Sequence, residues 1–196
     1  MNNLLYTFDH DLFLLLNFDG GTVVDTIMTA ASIPYTWAWL YIITLFILWR
    51  QYGWRRVIFF LLMVVAAVVI TDMIAGIFKH SGILKNLWAS FPARLRPMHT
   101  PELQHAIHKI AEGGLYGTVS AHAGTMVALA MISIYAIGRR WLTYTMIAAV
   151  ILICYSRIYL AYHFPFDILL GAAVGVLAGY VGIIGYRFLC QKYDNK

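Results

Sequence analysis

Residues 156–167, SRIYLAYHFPFD, set an arginine, a histidine and an aspartate at the edge of an apolar segment of bilayer length. Ionisable groups at membrane depth are costly, so they face protein or water and generally have a function. Arginine offers phosphate a planar fork of donors. Histidine can attack phosphorus or carry a proton near pH 7. Aspartate can fix the tautomer and orientation of such a histidine. Arg157, His163 and Asp167 together point to phosphate chemistry at a membrane surface.

A second group lies upstream. Residues 116–122, YGTVSAH, lead from a loop into an apolar segment, and Ser120 fits a helix N-cap. A helix N-terminus gathers unpaired amide donors and partial positive charge, which suits an anion. His122 falls in the first turn beside it. The loop before it, residues 79–119, is long for a connection inside a compact domain, and long loops are often functional. It carries Lys79, Lys85, Arg94 and the pair Arg96-Pro97. Pro165 breaks the helical pattern after His163 and suits the start of a new helix. Each residue also has a bland reading: Ser120 as a cap only, His122 as a loop contact, Asp167 as a helix-start acid, Arg157 as a snorkelling side chain. Those readings leave the recurrence of these groups on one side unexplained.

The elements that must hold these groups are membrane helices. Apolar residues make up 61% of the 196, charged residues 12%, and mean hydropathy is +0.73, far from a soluble domain. Five segments read as spans: one within residues 26–49, from about Pro34, then 57–78, 121–138, 141–162 and 168–186. Residues 8–18 are too short to span and read as an interfacial helix, making 1–33 an N-terminal interfacial region. The expected architecture is an all-α integral membrane bundle of about five transmembrane helices plus that helix, forming a single domain over 1–196. Trp37, Trp39 and Trp49 suit interfacial belts, and Gly171, Gly175, Gly179 and Gly182 suit close helix approach.

Charge sets the orientation. With the N-terminus outside, the inner segments hold Arg50, Arg55, Arg56, Arg139, Arg140, Arg187, Lys192 and Lys196 against the single acid Asp194. All seven histidines and the remaining acids fall outside. Short basic inner loops are what membrane insertion favours. The net charge of +5 is therefore an orientation signal and not a nucleic-acid stripe. The acidic N-terminus does not read as a cleavable signal. Cys154 and Cys190 fall near opposite faces, which argues against a disulfide or a cysteine metal site. His99, His105 and His108 with Glu102 can be imagined as a metal site, but lack a recognised ligand spacing. Asp72, inside the second span, reads as a pocket wall or a partner for a loop cation, with a proton relay as the alternative.

On these residues the chain resembles the type-2 phosphatidic acid phosphatase superfamily. That signature has a lysine, six residues and Arg-Pro; then Pro-Ser-Gly-His; then Ser-Arg, five residues, His, three residues and Asp. The third part is intact as Ser156-Arg157, His163 and Asp167. The second is Val119-Ser120-Ala121-His122. The first keeps Arg96-Pro97, but Ala89 stands where the lysine belongs. An insertion of about ten residues would make Lys79 the substitute, with Lys85 as rival and Arg94 as another source of charge.

The resemblance implies a membrane lipid phosphatase. His163 would be the nucleophile, forming a phosphohistidine, with Asp167 orienting it. His122 would protonate the leaving alkoxide, and Arg96, Arg157, Lys79 and Ser120 would bind phosphate oxygens. It implies no metal or other cofactor. The expected partners are the bilayer and a lipid phosphate, with no nucleic acid and no obligate protein partner. Lipid A or undecaprenyl diphosphate leads among substrates, ahead of phosphatidylglycerol phosphate and phosphatidic acid. The expected location is a bacterial inner membrane, with the site on the periplasmic side. The rivals are a lipid-phosphate binder or transporter that retains the pocket and a proton-coupled carrier using Asp72 and His163.

Overall fold

The computed structural model describes residues 3–194. Seven α-helices succeed one another: α1 (Asn3–Leu16), α2 (Gly21–Ser32), α3 (Ala38–Tyr52), α4 (Trp54–Phe78), α5 (Ala121–Ile137), α6 (Arg140–Tyr159) and α7 (Pro165–Asp194). No β-strand forms among the described residues, only an isolated bridge between Leu95 and Tyr116. The all-helical membrane reading holds.

The spans differ in detail from the sequence reading. α4, α6 and α7 are each long and apolar enough to cross a membrane. α5 has 17 residues, a rise of about 25 Å, near the lower limit for spanning. α3 has 15 residues and is preceded by a 3₁₀ turn, Pro34–Trp37. The expected five spans are thus three of full length and two short helices. The N-terminal region is also more than one interfacial helix. α1 and α2 together have the length and composition of a span but bend by 118° between them. Phe13 and Asp9 of α1 are fully buried, so α1 is built into the fold rather than laid on it.

The helices α4 to α7 run alternately up and down. α5 and α7 approach closely because a Cβ at Gly171 would collide with the Ser120 carbonyl, and one at Gly175 would lie 2.8 Å from Gly124 Cα. This contact, with the Ser120 N–H donating to the Asp167 carbonyl at 3.0 Å, locks the first turn of α5 to the first turn of α7.

The two ends of the bundle contrast. At one end, α3 stops at Gly53, with φ at 80°, and α5 at Gly138 in the left-handed conformation. Arg50, Arg55, Arg56, Arg139 and Arg140 gather there, with Arg56 on Asp194 at 2.5 Å. At the other end, α4 and α6 close without glycine. After α6, the Tyr162 N–H donates to the Arg157 carbonyl and the Ala161 N–H to the Ile158 carbonyl, a Schellman closure with Ala161 at φ 56°. After α4, Ser81 and His80 make the same pair of bonds to Gly76 and Ile77, with His80 at φ 51°. α6 therefore ends at Tyr159, three residues short of the expected boundary. The left-handed alanine opposes the usual preference, but its methyl is fully buried against Phe13, Met98 and Phe164.

Candidate active site

The end without glycine caps is where the chemistry-bearing residues meet. His163 follows the Schellman turn and is 1% exposed. Its Nδ1 lies 2.9 Å from the Gly117 carbonyl, which can only accept, so Nδ1 carries the proton and Nε2 keeps its lone pair. The Asp167 carboxylate stands farther off, with Oδ2 at 3.6 Å from Nδ1. The nearer orienting group is thus a carbonyl that the sequence reading missed. Burial, reinforced by the cations Lys79, Arg157 and Arg96, holds His163 well below the ordinary imidazole range, so the ring is neutral.

Gly117 is needed there. A Cβ on it would lie 3.0 Å from Arg96 Cγ, 3.3 Å from Asp167 Oδ2 and 3.4 Å from His163 Nδ1. Its backbone is pinned by Gly117 N–H to Arg94 carbonyl at 2.9 Å and Arg96 N–H to Leu115 carbonyl at 3.0 Å, flanking the Leu95–Tyr116 bridge. That short pairing folds the long loop back over the bundle and delivers Arg96. The Arg96 Nε–H donates to the Tyr116 carbonyl at 3.1 Å, leaving its terminal nitrogens free of that bond. Arg157, from the last turn of α6, is buried; its guanidinium lies 3.9 Å from the Tyr162 ring centre and donates to Ser32 Oγ. Its Nε has no hydrogen-bond partner among the described residues.

Lys79 closes α4 at the same end. Burial, then repulsion from Arg96, pulls its ammonium down to about 8. Lys85 is exposed in the loop. Lys79, not Lys85, is the lysine that joins the other cations. Ser120 caps α5 by accepting from the Ala123 N–H at 3.4 Å. His122, in the first turn of α5, feels Arg157, His163, Lys79 and Arg96, and lines a cavity of about 620 Å³ running down between α4, α5 and the α2–α3 connection. All seven residues singled out from the sequence therefore converge on one end of the bundle.

Two further groups belong to the assembly. Arg94 Nη1 lies 2.5 Å from Asp9 Oδ2 and 3.6 Å from Asp167 Oδ1, and its guanidinium stacks 3.7 Å over Phe164. Asp9 Oδ1 also accepts from the Phe166 N–H at 3.0 Å, and Asp167 Oδ2 from the Phe164 N–H at 3.0 Å. Both carboxylates thus satisfy orphan amides at the start of α7. Nothing in the sequence links Asp9 to this site.

The imagined loop metal cluster does not assemble. His99 bonds the Gly113 carbonyl at 3.0 Å, while His108 Nε2 meets Asp25 Oδ1 at 2.8 Å. Asp19, Asp25 and His108 come within 4.8 Å of one another, but Asp25 Oδ1 already accepts from the Tyr159 hydroxyl at 2.5 Å. Both cysteines are free.

A neutral buried imidazole with a free Nε2, ringed by three cations, a helix N-terminus and a second histidine, can attack a phosphoryl group and stabilise its developing charge. The chain is also similar to known phosphatases. A lipid A 4'-phosphatase of Porphyromonas gingivalis is 30% identical over 174 residues, covering 88% of this chain and 70% of that protein. A lipid A 4'-phosphatase of Bacteroides thetaiotaomicron is 27% identical over 190 residues, covering 94% and 78%. The crystal structure of Aquifex aeolicus LpxE superposes with a TM-score of 0.64 at 18% identity, over 88% of this chain and 93% of that one, a likeness of fold. Residues 69–189 match the PAP2 superfamily, and the chain belongs to that family.

Proposed function

We propose that this membrane phosphatase removes a phosphate from a lipid headgroup through a phosphohistidine, with lipid A as the leading substrate. The observation that carries the reading is the His163 arrangement: Nδ1–H held by the Gly117 carbonyl at 2.9 Å, which leaves Nε2 as the nucleophilic nitrogen. The names of the two relatives favour lipid A over undecaprenyl diphosphate, phosphatidylglycerol phosphate and phosphatidic acid.

In this scheme Nε2 attacks phosphorus, an N–P bond forms and the bond from phosphorus to the lipid oxygen breaks. His122, protonated once the phosphate dianion is bound beside it, gives its proton to the departing oxygen. Water, deprotonated by His122, then attacks the phosphohistidine, the N–P bond breaks and phosphate leaves. Arg96, Arg157, Lys79, Ser120 and the first amides of α5 hold the non-bridging oxygens, work that is mainly positioning and charge stabilisation. Asp167 acts through its charge near Nδ1 and through the helix start that carries it. The lipid tails run into the cavity below His122. With the arginine-rich end cytoplasmic, the reaction occurs at the periplasmic face of the inner membrane.

The test is phosphate release, with EDTA present, by detergent-purified protein from the four candidate lipids, beside His163→Ala. Turnover of lipid A that vanishes in the variant is expected. Near wild-type release by the variant sinks the nucleophile assignment.

A further inference from the structure

Asp72 is the acidic residue of α4, and the chemistry above does not use it. It sits seven residues before Lys79, on the same helix face and about 10 Å deeper along the axis. Among the described residues its carboxylate has no hydrogen bond and no ion pair. It lines the cavity that His122 also lines. Ser32, Asp72, His122 and Thr125 are among the polar residues of its lining, and along their own helices Val68 and Leu129 lie about one turn deeper than Asp72 and Thr125. Ser32 is continuous with the phosphate-facing groups, because its Oγ accepts from Arg157. The leaving side of the substrate therefore meets Asp72 on its way from the phosphate-facing groups to Val68 and Leu129.

A carboxylate is an acceptor without a donor when ionised, and Asp72 is exposed on the cavity wall, so its oxygens are open to a donor on the substrate. A phosphate carried on a prenyl chain or a diacylated glycerol presents no N–H or O–H there. An acylated amino sugar presents amide and hydroxyl donors close to its phosphate-bearing carbon. We propose that Asp72 is a specificity-determining residue that accepts a hydrogen bond from such a donor. The cavity then selects a phosphorylated sugar lipid over a phosphate whose carrier has no donor. The inference rests on the phosphatase reading above and deepens it.

The experiment compares kcat/KM for lipid A and phosphatidic acid in wild type, Asp72→Asn, Asp72→Ala and His163→Ala, each checked for folding by its thermal transition in detergent. If phosphatidic acid is bound but not turned over, its inhibition constant against lipid A takes the place of its kcat/KM. A site built to receive a donor discriminates strongly once its acceptor is removed. The ratio of lipid A to phosphatidic acid is expected to fall roughly ten- to hundredfold in Asp72→Ala, the scale of one charge-assisted hydrogen bond. Asp72→Asn, which keeps an acceptor oxygen, should fall between. A ratio that stays within threefold of wild type, including equal losses on both lipids, overturns the proposal. Turnover surviving in His163→Ala overturns the phosphohistidine reading instead, so the two failures are told apart.

Discussion

Asp9→Asn is the substitution that tests most directly whether the N-terminal helix belongs to the site. Asp9 is fully buried, 2.5 Å from Arg94, and receives the Phe166 N–H at 3.0 Å. Asparagine can keep the Phe166 bond through its amide oxygen but turns an NH₂ toward a guanidinium that can only donate. Breaking a buried ion pair typically costs about 3–5 kcal/mol, because a charge is left uncompensated. Here Asp167 remains 3.6 Å from Arg94 and can take over part of the charge, which lowers the expectation to about 2–3 kcal/mol. That compensation has a functional consequence. The same carboxylate stands 3.6 Å from His163 Nδ1, so drawing it toward Arg94 weakens its hold on the imidazolium-like charge that develops during attack. The expected result is a lower thermal transition together with a ten- to hundredfold loss of kcat and little change in KM, in line with about 1.4 kcal/mol per tenfold. The assay is steady-state phosphate release alongside a melting curve, repeated in Asp167→Asn and the double variant. Losses in the double variant should be smaller than the product of the single losses, because the two carboxylates share one arginine. A folded Asp9→Asn protein with wild-type kcat, or strictly multiplicative losses, refutes the reasoning.

Three other outcomes follow from the geometry. Gly117→Ala should lower kcat by one to two orders of magnitude, because its methyl would sit 3.0 Å from Arg96 Cγ and 3.4 Å from His163 Nδ1, and small displacements of a nucleophile are expensive; wild-type kinetics would show that the carbonyl is not a fixed support. Lys79 is charged below about 8 and neutral above it, so kcat/KM should fall as pH rises through that value; a bound phosphate dianion stabilises the ammonium, so kcat should decline at higher pH, and in Lys79→Arg the limb should vanish from the assayed range. A cysteine introduced at Arg139 should react with a membrane-impermeant thiol reagent only after the cytoplasmic face is opened; labelling of intact cells would invert the topology.

The legibility of this chain divides along the bundle axis. The basic end could be read from charge, because Arg50, Arg55, Arg56, Arg139 and Arg140 flank short connections, and its helices stop at Gly53 and Gly138. The other end was harder, since His80 and Ala161 do the same work without a glycine to mark them. The candidate residues themselves were legible, because Ser156-Arg157, His163 and Asp167 keep a spacing that one turn and one helix start convert into proximity. Gly117 was not, since its role depends on a carbonyl direction fixed by pairing with Arg94. α2 was missed because Thr22, Val23, Val24, Thr26 and Ile27 are β-branched and weak helix formers. The helix is held instead by distant partners, such as Tyr159 on Asp25. Asp9 lies 85 residues from Arg94 and 157 from Phe166, separations that no local pattern records.

That last separation bears on how the protein is made. Residue 9 leaves the ribosome well before α7, whose first turn it caps through the Phe166 N–H. Until α7 is inserted, Asp9 has no helix start to cap, and His163 has no Asp167 beside it. On the proposed mechanism, catalytic competence is therefore a property of the finished insertion. A biogenesis intermediate stalled after α6 would carry Arg96, His122 and Arg157, yet it would leave lipid phosphates untouched.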